Sequence, residues 1–232
     1  GARQALAVMA SGILGIAVAD TLFFACLNRL GAATTAIVDA LYVPFVMTAS
    51  WLALGERPRL EQVGGAVLVI AAILGAAYRH NGGGRPAGHR LAGFLFGIGA
   101  MALMAVSIVL MRPVLDKVHV FWVTEVRMLA ALLVLSAMFA LQKGRRGLLA
   151  PLWRKGSRGY AFWGALLGNL ISMTLWIAAF KFTTVNSAAI LNQTNTVLVV
   201  VLAALFLKEP FDLRRVLATL LAVAGTVLIL VG

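Results

Sequence analysis

Acidic residues, histidine and cysteine are all scarce in this chain. Of its 232 residues, 8 are Asp or Glu, 3 are His and one is Cys. The single Cys26 excludes an internal disulfide. The histidines, His80, His89 and His119, all lie between apolar stretches, which argues against a histidine-based metal site, and no metal or cofactor is expected. Charged residues make up only 12% of the sequence, too few for a soluble domain of this length.

Hydrophobic side chains dominate instead. They form 62% of the sequence, the mean hydropathy is +0.96, and the apolar stretches reach about 20 residues, the length that crosses a bilayer. The formal charge of +12 would suggest a nucleic-acid partner in a soluble protein. Here, however, the basic residues fall almost entirely between apolar stretches, as they do at the ends of membrane spans. The expected partner is therefore the lipid bilayer, and nucleic acid is not expected.

The hydropathy pattern predicts an all-α polytopic membrane protein with eight transmembrane helices. Each predicted span is a mainly apolar stretch of membrane-crossing length, bounded by short polar connectors. To within a few residues, the spans are Ala5–Leu27, Ala33–Leu54, Leu60–Tyr78, Leu91–Met111, Val120–Gln142, Gly159–Phe180, Val185–Leu207 and Leu213–Val231.

The second part of the sequence repeats the first. Gly15–Gly75 aligns without gaps on Gly168–Leu228, at an offset of 153 residues, with 14 of 61 positions identical. Composition alone would give about six identities, so chance is an unsatisfactory explanation. Internal repeats of membrane helices are typical of secondary transporters, whose substrate site lies between the repeats. An odd number of helices between equivalent positions would make the repeats inverted.

The repeat offset also divides the chain. Residues 1–80 are interpreted as the last three helices of a first repeat, and residues 91–232 as a five-helix second repeat. The connector between them is rich in glycine, as flexible linkers are. The fourth and fifth spans have no partners in the first repeat, because the offset places those partners before Gly1. We therefore expect an inverted 5+5 fold with two further spans ahead of this chain; a 3+5 protein is the alternative.

Several segments of both repeats carry a resemblance to a known family. Gly15–Ala32, Thr35–Phe45 and Leu54–Glu56 resemble an EamA-type repeat of the drug/metabolite transporter superfamily, and the second repeat matches over Gly168–Glu209. The Lys-Glu pair that ends this second match departs from the usual Gly-Glu. Arg127 resembles the basic residue that often opens its helix in the family. The resemblance covers nearly the whole chain and implies a ten-helix inverted-repeat transporter of small metabolites, usually an exporter, without identifying the substrate.

Asp39 is the strongest candidate for a substrate-binding residue, because a carboxylate deep in a span is costly unless it faces a cavity or another helix. Its repeat partner is Asn192, and Tyr42, three residues on, has Asn195 as its partner. Equivalent i, i+3 faces of the two repeats would meet near the midplane and bind a polar or cationic group or a coupling proton. Hydrogen bonding between helices is the alternative role for the two asparagines.

Three more residues complete the candidate site. Trp176 is expected at the cavity wall, although an aromatic residue in an apolar span more often serves packing. Asp20 and Glu125 are candidates for coupling. For Asp20 an interhelical hydrogen bond explains the residue equally well, and Glu125 is close enough to a span end to reach the interface. Pro44 removes a backbone hydrogen bond and predicts a kink just past Asp39.

The function predicted from these residues is secondary transport by alternating access, with export of small polar metabolites or drugs and with proton coupling as an option. The alternatives are a polar-lined channel, which the polar run Asn192–Thr196 would serve, and an exchanger of nucleotide-sugar or phosphate type. No HExxH pattern, membrane-spanning histidine or spaced pair of catalytic acids suggests an enzyme. The expected location is a cell membrane, such as the bacterial inner membrane, and a homodimer is left open.

Overall fold

Helices make up the protein wherever the computed structural model describes it, and no strand occurs in that part. The described residues are 2–54, 58–77, 87–115, 117–142, 157–182, 198–199, 202, 205–206 and 213–231. The helices are α1 (Ala2–Gly12), α2 (Asp20–Leu30), α3 (Ala32–Asp39), α4 (Tyr42–Leu54), α5 (Leu60–Ala77), α6 (Ala87–Leu115), α7 (Val120–Leu141), α8 (Ser157–Ala165), α9 (Ser172–Phe182) and α10 (Leu213–Val231). Two π-helical segments, Ile13–Ala19 and Leu166–Ile171, join α1 to α2 and α8 to α9.

Long apolar helices confirm the expected membrane class. Within the described residues, five helical stretches are long and apolar enough to cross a bilayer. They are Arg3–Leu30, Ala32–Ala53, Gly88–Leu115, Val120–Leu141 and Arg158–Ala179. Leu60–Gly75 and Val216–Ile229 are shorter apolar helices. The chain is thus an all-helical polytopic membrane protein. The exact count of eight spans stays a prediction, because the expected span Val185–Leu207 lies largely outside the described residues.

The two π-helical segments occupy equivalent positions in the repeats. The 153-residue offset carries Ile13, the first residue of one segment, onto Leu166, the first residue of the other. A π turn contains an extra residue compared with an α turn, so it rotates the side chains that follow and often marks a functional position. The repeat seen in the sequence is therefore also present as a local backbone irregularity. The inverted arrangement of the repeats stays a prediction.

The second span is interrupted near its middle. Helix α3 ends at Asp39, and α4 begins at Tyr42 after the turn at Ala40 and Leu41. Here the backbone N–H of Ala40 and of Leu41 donate to carbonyls three residues back, at 3.3 and 3.0 Å. Pro44 lies in the first turn of α4, where its missing N–H is tolerated. The regular α-helical pattern is thus interrupted just past Asp39, within the single stretch Ala32–Ala53, and a kink there stays a prediction.

Glycines set the close helix contacts in the described part. At the turn between α2 and α3, Gly31 has a φ of 83°, which favours glycine, and its N–H donates to the Leu27 carbonyl at 2.9 Å. Among the described elements, helices α5 and α10 make the most extensive contact. Gly65 and Gly225 lie at this contact, where a Cβ on Gly225 would come within 2.6 Å of the Gly65 carbonyl oxygen. The absence of side chains thus permits backbone-to-backbone packing.

The contact between α5 and α10 joins two helices that are equivalent in the sequence repeat. The offset carries Leu60, where α5 begins, onto Leu213, where α10 begins. A two-fold relation would pair the Gly65–Gly225 contact with a second one between Ala72 and Ala218, and both alanines are buried. Two equivalent helices of the repeats therefore pack against each other through small residues.

Candidate functional site

A cavity of about 200 Å³ lies between the first two spans, α6 and α9. The described residues that line it are Ala19, Asp20, Phe23, Asp39, Tyr42, Met101, Met104 and Trp176. Two of these are acidic, three are aromatic, two are methionines, and none is basic. Such a lining combines charge with polarisable apolar surface, which is the composition of a small-molecule site rather than of a packed core.

The break in the second span positions Asp39 and Tyr42. Asp39 is the last residue of α3 and Tyr42 the first of α4, so both sit where the backbone turns at the cavity wall. The Tyr42 side chain is only 6% exposed, and its hydroxyl has no hydrogen-bond partner among the described residues. A buried hydroxyl normally finds a partner, and none of the described residues supplies one here.

The first π-helical segment positions Asp20. This residue begins α2, directly after Ile13–Ala19, and it lines the cavity together with Ala19. The positive charge of Arg127 lies near enough to interact electrostatically with the Asp20 carboxylate. Asp20 is half-buried, and a nearby opposite charge lowers the cost of removing a carboxylate from water; Arg127 supplies that charge without a direct hydrogen bond to Asp20.

Arg127 itself is fully buried among α1, α6 and α7. Its Nη1 donates to the Ser11 hydroxyl at 3.0 Å and lies 3.3 Å from the Met111 sulfur. Ser107 donates to the Ser11 carbonyl at 2.8 Å, which joins α6 to the same cluster. The other guanidinium nitrogens, Nε and Nη2, have no hydrogen-bond partner in the described part of the chain. The guanidinium thus remains within the bundle instead of reaching for the interface.

Small residues on the first helix make room for this arginine. A Cβ on Gly12 would lie 2.6 Å from the Arg127 Cα, and a Cβ on Gly15 would lie 3.1 Å from Nη2. Both distances are shorter than ordinary van der Waals contacts. Any larger residue at either position would push the first helix away from α7, so the glycines permit the burial of the charge.

Two of the described lining residues are repeat partners. Phe23 and Trp176 are related by the 153-residue offset, and both line the cavity. Equivalent side chains from two repeats meet only close to the axis that relates the repeats. A cavity shared by repeat partners is what a substrate site between two facing repeats would show.

The residues proposed from the sequence fall into three groups. Asp20, Asp39, Tyr42 and Trp176 are brought together around the cavity. Glu125 is exposed on α7 and does not line it. Asn192 and Asn195 lie outside the described residues. Their assignments to binding or coupling stay predictions.

Sequence reasoning missed four lining residues. They look like ordinary apolar residues of membrane spans, and nothing in their local pattern marks them: Ala19, Phe23, Met101 and Met104. Only Phe23 carried a usable signal, because it is the repeat partner of Trp176. Within the described residues, no group of three or more His, Cys, Asp or Glu side chains is close enough to hold a metal ion.

Comparisons with known proteins agree with the transporter resemblance. The sequence profile described as the EamA-like transporter family matches residues 1–78 and 91–231. An uncharacterized transporter of Archaeoglobus fulgidus is 24% identical over 228 residues, which cover 98% of this chain and 77% of the relative.

A protein of known crystal structure has a similar fold. It superposes with a TM-score of 0.62 at 19% identity, over 97% of this chain and 85% of its own. This likeness supports the fold alone, whereas the family match extends over almost all of the sequence. The chain belongs to the EamA-like transporter family.

Proposed function

We propose that the protein is a secondary carrier that exports small polar molecules across the cell membrane by alternating access. The observation that carries this proposal is the cavity lined by the repeat partners Phe23 and Trp176. In carriers built from internal repeats, substrate lies where the repeats meet, and rocking of one repeat against the other opens the site to each side in turn. Family membership supports transport, and the cavity supports a bound substrate.

The irregular backbone beside the cavity supports a moving site. Asp39 adjoins the break between α3 and α4, and Asp20 directly follows the first π-helical segment. Helices bend most readily where their regular hydrogen-bond ladder is already interrupted. Small rotations at these two points would move both carboxylates relative to α6 without unfolding either span.

Reconstitution into proteoliposomes tests the carrier mechanism. A panel of amines, amino acids, sugars and nucleotides is first screened by thermal shift, since a specific ligand stabilises only the native protein. The best ligand is then radiolabelled, and its uptake is measured with and without excess unlabelled ligand inside the vesicles. A carrier gives saturable uptake that internal ligand accelerates by exchange.

Two variants make the measurement specific to the cavity. Asp39→Asn should reduce saturable uptake, because it removes a charge from the cavity wall. Glu61→Gln is the matched control, since Glu61 is an exposed carboxylate in the first turn of α5. Uptake that rises linearly with concentration, with no acceleration by internal ligand, would identify a channel and refute the carrier mechanism.

A further inference from the structure

The charges around the cavity do not balance. Asp20 and Asp39 line it, and no described lining residue is basic. The charge of Arg127 lies within electrostatic reach of both Tyr42 and Asp20, whereas the described part of the chain offers Asp39 neither a basic side chain in the cavity lining nor a hydrogen-bond donor. A carboxylate within a membrane bundle needs a compensating partner. Among the described residues, no positive charge in the cavity lining compensates Asp39.

The backbone beside Asp39 carries a partial negative charge, as the carboxylate does. Helix α3 ends at Asp39, and the carbonyl end of a helix carries a partial negative charge. In transporters with interrupted helices, such C-terminal ends coordinate cations. The helix end thus adds to the negative potential of the Asp39 carboxylate rather than offsetting it.

The Tyr42 hydroxyl provides an independent indication of a ligand. It lies at the cavity wall, is almost completely buried, and has no partner among the described residues. Its oxygen can accept a hydrogen bond from an N–H donor, and Asp39 can accept another from the same group. An ammonium group supplies several such donors together with a compensating positive charge.

The rest of the lining suits the apolar body of such a ligand. Phe23 and Trp176 contribute aromatic rings, and Met101 and Met104 contribute flexible thioethers. Aromatic faces attract cations, most strongly when water is excluded, and methionine adapts to irregular apolar shapes. A sugar or an inorganic anion would leave this surface without a matching partner.

We propose that the cavity binds a monovalent organic cation, an ammonium group carried on a small aromatic or aliphatic body. The ammonium group lies between Asp39 and Tyr42, and the apolar body lies against Trp176 and the methionines. The inference rests on the proposed carrier function, because it names the substrate class of the same site.

Binding to the purified full chain in detergent tests the ligand class without requiring transport. Three probes of similar size are compared by calorimetric titration at pH 7: benzylammonium, neutral benzyl alcohol and zwitterionic 2-phenylglycine. Benzylammonium should bind at least about tenfold more tightly than either of the others, the ratio expected for one charge-assisted interaction. The zwitterion is disfavoured because the described lining has no cation for its carboxylate.

Substitutions then locate the ammonium group. Asp39→Asn should weaken benzylammonium binding by about tenfold or more and leave benzyl alcohol almost unchanged. Glu61→Gln, which removes an exposed carboxylate from α5, should alter neither affinity. Should Asp39→Asn fail to give a monodisperse protein, Tyr42→Phe replaces it, since that change removes one hydroxyl and keeps the ring. It should weaken benzylammonium binding several-fold.

Each outcome separates the ligand class from the carrier function. Ammonium binding that depends on Asp39 supports the inference, even where proteoliposomes show channel-like flux. Three results would overturn the inference: no binding of benzylammonium by the wild-type protein, tighter binding of 2-phenylglycine, or an affinity for benzylammonium that is the same in Asp39→Asn and Tyr42→Phe as in the wild type. Saturable exchange of a non-basic substrate, together with no ammonium binding, would uphold the carrier and reject this substrate class.

Discussion

Two alanine substitutions on α5 should change stability in opposite directions. A Cβ on Gly65 would lie 2.7 Å from the Ile229 Cγ1 and 2.8 Å from its backbone nitrogen, and it would also meet the Gly225 carbonyl oxygen. Carbon contacts are most favourable near 3.5–4.0 Å, so α5 and α10 must separate by roughly 1 Å to admit the methyl group. A Cβ on Gly75 would meet no described atom within 4 Å.

The magnitudes follow from these contacts. Overpacking costs about 1–3 kcal/mol, and the higher helix propensity of alanine returns at most about 1 kcal/mol. Gly65→Ala should therefore destabilise the protein by about 1–2 kcal/mol. Gly75→Ala meets no overpacking cost and should stabilise the protein by up to about 1 kcal/mol, through the higher helix propensity of alanine. In a chain of this size, 1 kcal/mol corresponds to a shift in melting temperature of about 2–4 °C. Thermal unfolding of the purified protein in one detergent measures both variants.

A double-mutant cycle sharpens the test. Gly225→Ala should cost a similar amount, because its Cβ would lie 2.6 Å from the Gly65 carbonyl oxygen. Once the helices have separated to admit one methyl group, the second is accommodated more easily, so the double variant should cost less than the sum. The packing argument is wrong if Gly65→Ala melts at or above the wild-type temperature, or if the two changes add without coupling.

Three further predictions concern the cavity and its surroundings. Asp39→Asn should fold and insert normally but lower transport in proteoliposomes, whereas Val46→Ala, two turns further along that span, should change transport much less; equal uptake by both would show that Asp39 has only a structural role. Arg127→Met should lower the melting temperature in thermal unfolding, because it removes the hydrogen bond to Ser11 and the positive charge near Asp20, and an unchanged melting temperature would contradict both roles. Pro44→Ala adds a backbone donor beside the interruption between α3 and α4 and should slow exchange; faster exchange would argue against a hinge there.

Much of this protein could be predicted from the sequence because the relevant signals are local or repeated. Apolar stretches of bilayer length predicted membrane spans, since a bilayer excludes long polar segments. Asp39 stood out because a carboxylate is rare within a span, and the repeat offset linked it to Asn192. Pro44 likewise predicted a kink in the helix just past Asp39. None of these inferences required knowledge of which helix lies beside which.

Identical sequence patterns nevertheless have different surroundings in the folded chain. Gly93 and Gly97 have the same spacing as Gly164 and Gly168, yet only the first pair approaches described neighbours, where Gly97 faces Val38. Spacing of small residues shows that close packing is possible, but the partner surface lies far away in sequence. The assignment of contacts is thus a property of the assembled bundle.

The membership of the cavity was likewise decided by tertiary packing. Met101 and Met104 reach it from α6, and Arg127 is buried behind Asp20 with its Nη1 bonded to Ser11, more than a hundred positions away. In a bilayer, helices are apolar on nearly every side, so their sequences carry little information about which face meets protein and which meets lipid. Sequence alone therefore determined the membrane class, the repeat and the central acidic residue. Only the packing of remote helices determined the charges and apolar groups that surround it, because close contact among those helices brings the groups within reach of each other.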